Sequence, residues 1–259
     1  MKKELKKSFW AMVCSFLIVG FVFTVMKIDE RNLALKSENI NSDVSNSKED
    51  ENNTIIESEA EKVAYITIDD GPSKYTNDIL DILEKNDVKA TFFMIDGNMK
   101  KHQEEVNRIV SEGHGAGFHS VSHDKDKIYE SPDVTVGEFD TCNNTLNEIT
   151  GSSSKLIRLP YGSKPYMPEG SYDKLLESGY LIWDWNVDTL DWKATTDQIV
   201  SNVLYYGRQH DELVLLIHEK EQTVEALDNI IMVLKERGYK ILPISEKIDE
   251  KNFWKSNLK

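Results

Sequence analysis

The chain has 259 residues, room for one sizeable domain or two small ones. Asp and Glu number 45 against 31 Lys and Arg, a formal net charge of −14, which argues against a nucleic-acid partner because phosphate backbones are bound by basic surfaces. Its two cysteines, Cys14 and Cys142, leave no pair within the polar part of the chain, so a disulfide scaffold is excluded and stability has to come from a packed core.

Residues 1–7, MKKELKK, form a short basic tail. Residues 8–26 follow as 19 uncharged, mostly apolar positions, about the ~20 that a helix needs to cross a bilayer. No A-x-A-like site follows, and Cys14 stands too early in the run for lipid attachment. The run therefore reads as an uncleaved signal anchor, its basic flank in the cytoplasm and the remainder outside; a removed signal peptide is the other reading. Residues 27–61 are rich in Asn, Ser, Glu, Asp and Lys and contain no aromatic residue. They predict a flexible spacer that holds a folded part, 62–259, away from the membrane.

From Val63 onward seven short apolar runs appear: VAYITI, ATFFMI, GAGF, KLIRL, YLIWDW, LVLLI and KILPI. Amphipathic stretches separate them. In TNDILDILEKN, Ile79, Leu80 and Leu83 have the spacing of one buried helix face. MKKHQEEVNRIVSEG, TVGEFDTCNNTLNEITG, SYDKLLESG, TTDQIVSNVLYYGRQ and VEALDNIIMVLKERG follow, several closing on a glycine: Gly113, Gly151, Gly179 and Gly238. Strands alternating with helices predict an α/β fold with a parallel sheet of about seven strands, either a barrel or an open doubly wound sheet.

Polar residues gather at the C-terminal ends of these runs. Asp69 and Asp70 follow YITI, and His119 follows GAGF. Arg158 lies within KLIRL, Asp188 and Asp191 follow YLIWDW, and His218 with Glu219 follows LVLLI. Both kinds of α/β architecture build their sites at that rim. His119 and His123 stand at i and i+4, so both imidazoles share one helix or turn face, although a lone H-x-x-x-H is ordinarily just a surface pair. With Asp70 they make a His₂-carboxylate set of the kind that holds hydrolytic Zn²⁺ or another divalent ion. Asp69 is then a natural general base and His218 a natural general acid, kept protonated by Asp191. Arg158 is placed to hold Asp69 through a bidentate contact; a turn aspartate and an ordinary ion pair are the plain alternatives for Asp191 and Arg158.

Five motifs, in order, resemble those of the polysaccharide deacetylases of the NodB-homology type, carbohydrate esterase family 4. They are TIDDGP (67–72), HSVSH (119–123), RLPYG (158–162), DTLDW (188–192) and LLIHE (215–219), and the likeness runs from about 63 to 244. Ile68, Leu159 and Glu219 depart from the family's usual Phe, Pro and Asp. The resemblance implies a deformed (β/α) barrel of about seven strands. It also implies metal-dependent removal of N-acetyl groups from an amino-sugar polymer, with Zn²⁺ the expected ion and Co²⁺ or another divalent ion the alternative. By position, Asp69 is implied as base, Asp70, His119 and His123 as ligands, and His218, supported by Asp191, as acid. Arg158 is implied to orient Asp69, the Tyr161 N–H to stabilise the oxyanion, and Trp192 and Leu216 to line the acetyl pocket; His114 reads as structural. With the anchor, the expected substrate is cell-wall peptidoglycan and the expected location the outer face of the cell membrane, with no obligate protein partner. N-acetylmuramic residues, chitin oligomers, poly-N-acetylglucosamine and acetylated xylan remain alternative substrates, and a non-catalytic wall-binding protein is the alternative of another class.

Overall fold

The structure, a computed structural model, describes residues 61–258. The basic tail, the anchor at 8–26 and all but the last residue of the spacer lie outside the described residues. Among the described residues no helix is long and apolar enough to cross a membrane.

The chain runs β1 (Val63–Asp69), α1 (Thr76–Lys85), β2 (Thr91–Met94), α2 (Asp96–Lys101), α3 (Gln103–Ser111), β3 (Gly115–Phe118), α4 (Lys125–Ile128) and α5 (Pro132–Thr150). It continues through β4 (Leu156–Ile157), α6 (Glu169–Glu177), β5 (Leu181–Ile182), β6 (Val187–Asp188) and α7 (Thr196–Tyr206). A 3₁₀ turn (Gly207–Gln209) then leads to β7 (Glu212–His218), α8 (Glu221–Glu236) and β8 (Lys240–Ile241). All strand pairs are parallel, in the order β5-β4-β3-β2-β1-β7-β6, with β8 set against the first two residues of β1. The α/β class is as expected, and the topology is consistent with a deformed barrel. The seven apolar runs all yield strands; the eighth, β6, is only Val187 and Asp188 and leaves no run to detect.

The edge strands β5 and β6 do not pair with each other among the described residues. The segment 249–258 lies along this gap as a strap. Ile182 N–H donates to Glu250 Oε2 at 2.7 Å, and Asp184 N–H to Lys251 O at 2.8 Å. Trp254 stacks on Tyr172 (centroids 4.9 Å, planes 15° apart) and donates Nε1–H to Ser163 O at 3.0 Å.

The period of two along each strand sorts the two faces. On β1 Ala64, Ile66 and Ile68 belong to the large core beneath the helices, as do Leu213, Leu215 and Ile217 on β7. Their neighbours point the other way, where Tyr65, Phe93, Leu156, Trp183 and Val214 form a smaller inner cluster. Climbing the inner face, β1 therefore reads Tyr65, Thr67, Asp69, and β7 reads Val214, Leu216, His218. Apolar packing fills the bottom, and chemistry stands at the top.

The helices follow the amphipathic stretches with one break. MKKHQEEVNRIVSEG, continuous in pattern, folds as α2 and α3 separated at His102, whose φ of −124° and ψ of 51° interrupt the helix. Gly113, Gly151, Gly179 and Gly238 all take positive φ between 74° and 82° just past helix ends, the left-handed stop that glycine reaches without a Cβ penalty.

Candidate active site

Register alone brings two key side chains together: Asp69 of β1 is paired directly with His218 of β7. Neighbouring residues of a regular strand face opposite ways, yet Asp69 and Asp70 both line one cleft. The strand ends at Asp69, and Asp70 turns left-handed with φ of 70°, which carries its carboxylate round to the same side. Gly71 is required next. A Cβ there would stand 2.0 Å from Glu219 Oε1.

Asp70 Oδ1 lies 3.3 Å from His123 Nε2 and 3.7 Å from His119 Nε2. The ligand-type atoms of these three residues all fall within 4.8 Å of one another, and no other such group occurs among the described residues. His119 Nδ1–H donates to Arg158 O at 2.8 Å, which fixes the tautomer and leaves the Nε2 lone pair facing Asp70. Burial holds the His119 imidazole below its ordinary value, against the pull of Asp69 and Asp70, so it is poised as a neutral donor. Asp70 Oδ1 is buried and accepts no hydrogen bond. An uncompensated buried carboxylate oxygen is costly, and a divalent cation is the partner that two imidazoles and a carboxylate fit.

Asp69, 2% exposed, accepts a hydrogen bond at Oδ1 from Arg158 Nη1 at 2.9 Å. The bidentate contact expected from the sequence is not formed. The buried guanidinium divides its N–H groups, with Nη1 also reaching Thr67 Oγ1 at 2.5 Å, Nε reaching Trp183 O at 2.8 Å and Nη2 reaching Asp184 O at 3.0 Å. It also sits 4.3 Å over the Phe93 ring. Arg158 is thus locked from four directions, and Asp69 Oδ2 is left toward the cleft.

His218 Nδ1–H donates to Asp191 Oδ1 at 2.8 Å, and its backbone N–H donates to Asp191 Oδ2 at 2.6 Å. Thr223 Oγ1 donates to the same Oδ2 at 2.8 Å. Burial lowers the imidazole, but the Asp191 hydrogen bond and the charges of Asp191, Asp69 and Asp70 outweigh it and raise His218 above its ordinary value. Asp188, another strand-end carboxylate, accepts the Leu190 N–H at 2.8 Å and shapes the turn leading to Asp191. Glu219 turns away from this pair. Its Oε2 accepts from Ser73 Oγ (2.6 Å) and Thr76 Oγ1 (2.7 Å), and burial raises its carboxyl.

The cleft, about 560 Å³, is walled by Tyr161, Trp192 and Leu216 together with Trp185, Tyr166 and Lys220, which the motifs do not point to. Leu216 is buried, whereas Trp192 is 57% exposed at the mouth. Tyr161 has φ of 65°, and its ring lies 5.3 Å from the His123 ring with the planes tilted by 55°. Among the described residues seven non-glycine positions have positive φ, and five of them, Asp70, Ser120, His123, Tyr161 and Leu190, lie in the four loops that build this site. Such clustering is a mark of functional loops. His114 lies apart, accepting the Ala90 N–H at 3.1 Å, in keeping with a structural reading.

Comparison with known proteins gives the family. The family profile described as polysaccharide deacetylase matches residues 57–176. A peptidoglycan-N-acetylglucosamine deacetylase of Bacillus cereus is 40% identical over 204 residues, spanning 76% of this chain and 74% of the relative. The crystal structure of a polysaccharide deacetylase from Bacillus cereus superposes with a TM-score of 0.72 at 40% identity, covering 76% of this chain and 98% of that one. A carbohydrate esterase family 4 pseudoenzyme from Bacillus anthracis is also similar, with a TM-score of 0.66 at 30% identity over 74% of this chain and 67% of that one. The chain belongs to the polysaccharide deacetylase family, the hydrolases of carbohydrate esterase family 4.

Proposed function

We propose that this protein is a metal-dependent deacetylase that removes the acetyl group from N-acetylglucosamine of peptidoglycan and releases acetate. The observation that carries this reading is the buried, unpartnered Asp70 Oδ1 facing two imidazole Nε2 atoms beside Asp69 and His218. The likeness to a peptidoglycan deacetylase supports the substrate.

Asp70, His119 and His123 are the ligands, with Zn²⁺ the preferred ion by their donor types. When bound, a divalent ion supplies Lewis acidity at the acetamide carbonyl and lowers the pKa of water. Asp69 Oδ2 removes the proton of the attacking water, while Arg158 holds Oδ1 in place. The Tyr161 backbone N–H donates to the oxygen that gains charge in the tetrahedral state. His218 Nε2 then gives its proton to the departing amine, and Asp191 holds Nδ1–H so that the charged form is favoured. Leu216 and Trp192 shape the pocket for the acetyl methyl. The membrane anchor read at 8–26 and the spacer at 27–61 place this chemistry on the outer side of the membrane, within reach of the wall.

The test incubates the purified protein with peptidoglycan fragments, measuring free acetate and the mass of each sugar, with metal content measured alongside. Wild type is expected to remove one acetyl per N-acetylglucosamine and to stop when the metal is chelated. D69N is expected to lose at least 100-fold in rate while keeping its metal, whereas H119A loses both. Metal-loaded wild type that releases no acetate would move the protein to the wall-binding class. Acetate release from chitin oligomers but not peptidoglycan would reassign the substrate alone.

A further inference from the structure

The two histidines of the site share a turn that itself lies outside any strand or helix. Its backbone is left-handed at Ser120 (φ 72°) and again at His123 (φ 47°), conformations that persist only when the surroundings determine them. Ser120 Oγ accepts the His123 N–H at 2.9 Å. The Val121 and Ser122 N–H groups converge on one side chain. Glu138 Oε2 accepts from Val121 N–H at 2.9 Å and from Ser122 N–H at 3.0 Å, while Oε1 accepts from Ser122 Oγ at 2.7 Å.

Glu138 stands on α5, which is fixed independently of the site. Ser131 caps the helix at Val134 N–H, Phe139, Cys142 and Leu146 are fully buried along it, and Thr145 donates to Asp96 at 2.6 Å. Among the described residues Glu138 forms no ion pair with a lysine or arginine, so surface charge pairing does not account for it. Hydrogen bonds from backbone N–H groups to a carboxylate are among the stronger ones.

Resting on the reading of Asp70, His119 and His123 as a metal centre, we propose that Glu138 is a positioning residue for it, clamping the 120–123 turn so that both imidazoles face Asp70. The clamp works by geometry, which sets apart two substitutions. Glutamine can reproduce it, with its oxygen taking both backbone N–H groups and its amide donating to Ser122 Oγ. Alanine leaves three donors to water and frees the turn.

The experiment titrates Zn²⁺ into the metal-free, full-length protein against a chromogenic chelator. E138A is expected to bind Zn²⁺ at least tenfold more weakly, the usual scale for groups that orient ligands, with E138Q within threefold of wild type. A purely structural role would lower the melting temperature without metal and leave the affinity of the folded protein unchanged. E138A binding within twofold of wild type overturns the proposal, as does an equal loss in E138A and E138Q, which would assign the effect to charge. Either result leaves the deacetylase reading standing, whereas wild type that binds neither Zn²⁺ nor Co²⁺ nor any other divalent ion tried in its place overturns both. If circular dichroism shows E138A unfolded, S122A, which removes only the hydroxyl arm, decides. A loss of threefold or more supports the clamp, and an unchanged affinity overturns it.

Discussion

Asp191 is wholly buried, and both its oxygens are committed to the strand end that bears His218. Replacing it by asparagine sets an amide donor against the His218 N–H, its ring N–H or the Thr223 hydroxyl. D191N is therefore expected to lower kcat by about 100-fold and to move the alkaline limb of the pH–rate profile to lower pH. The sign follows from the opposing influences on His218: once the Asp191 charge and hydrogen bond are gone, burial is opposed only by the charges of Asp69 and Asp70 and the imidazole falls, and an acid catalyst is lost as pH rises through its pKa. A limb that stays in place under acetate-release assay would remove Asp191 from this role. The candidate site residues that line the cleft were legible in the sequence because each occupies a short motif at a strand end. Arg158 and Asp191, which act through Asp69 and His218, share those motifs, but the supports beyond them were not legible. Thr67 meets Arg158, and Glu138 meets the histidine turn, only across the folded chain, and neither has a spacing to betray it. The single Arg158–Asp69 contact was equally hidden, since the competing carbonyls of Trp183 and Asp184 come from another strand end.

Among the elements, the strap at 249–258 carries the clearest mechanical role. It covers the unpaired edge of β5, and Trp254 ties it to Ser163, two residues beyond Tyr161. W254A removes an aromatic stack and a hydrogen bond at a half-buried position, and the expected loss is about 2 kcal/mol, below the ~3–5 of a fully buried tryptophan. W254F keeps the stack and is expected to cost about 1 kcal/mol for the orphaned carbonyl. Urea denaturation measures both, and a loss well under 1 kcal/mol in W254A would show that the strap does not hold the edge. Seven of the eight strands were readable because apolar runs of four or more stand out between helices. The strap was not, because its contacts are single side chains reaching backbone groups and leave no periodic signal. The break at His102 escaped for a similar reason, since no proline or glycine marks it.

At the scale of the whole molecule, the only described cysteine is free and buried, so cohesion depends on the core and on charges tuned by burial. Burial lowers the His114 imidazole from 6.5 to about 4, with Lys89 adding to the effect and Glu112 opposing it. A histidine depressed in the folded state favours folding fully above its unfolded pKa. As pH falls from 6.5 toward about 4 the unfolded chain takes up the proton first, and stability declines. Between pH 7 and pH 5 the wild type is expected to lose about 2 kcal/mol more than H114N, which keeps an acceptor for Ala90 N–H. Denaturation curves at the two pH values check this, and parallel slopes would exclude it. The left-handed loop residues bear on the same balance. Each of the five non-glycine residues so placed costs on the order of 1 kcal/mol, and their sum is a sizeable part of the roughly 5–15 kcal/mol that separates folded from unfolded domains. Heat resistance and a converged mouth therefore pull in opposite directions in this α/β fold. A lineage, or a screen, that rewarded thermal endurance alone would relax these loops first, yielding a sturdier protein whose rim no longer gathers its carboxylates and imidazoles at one point.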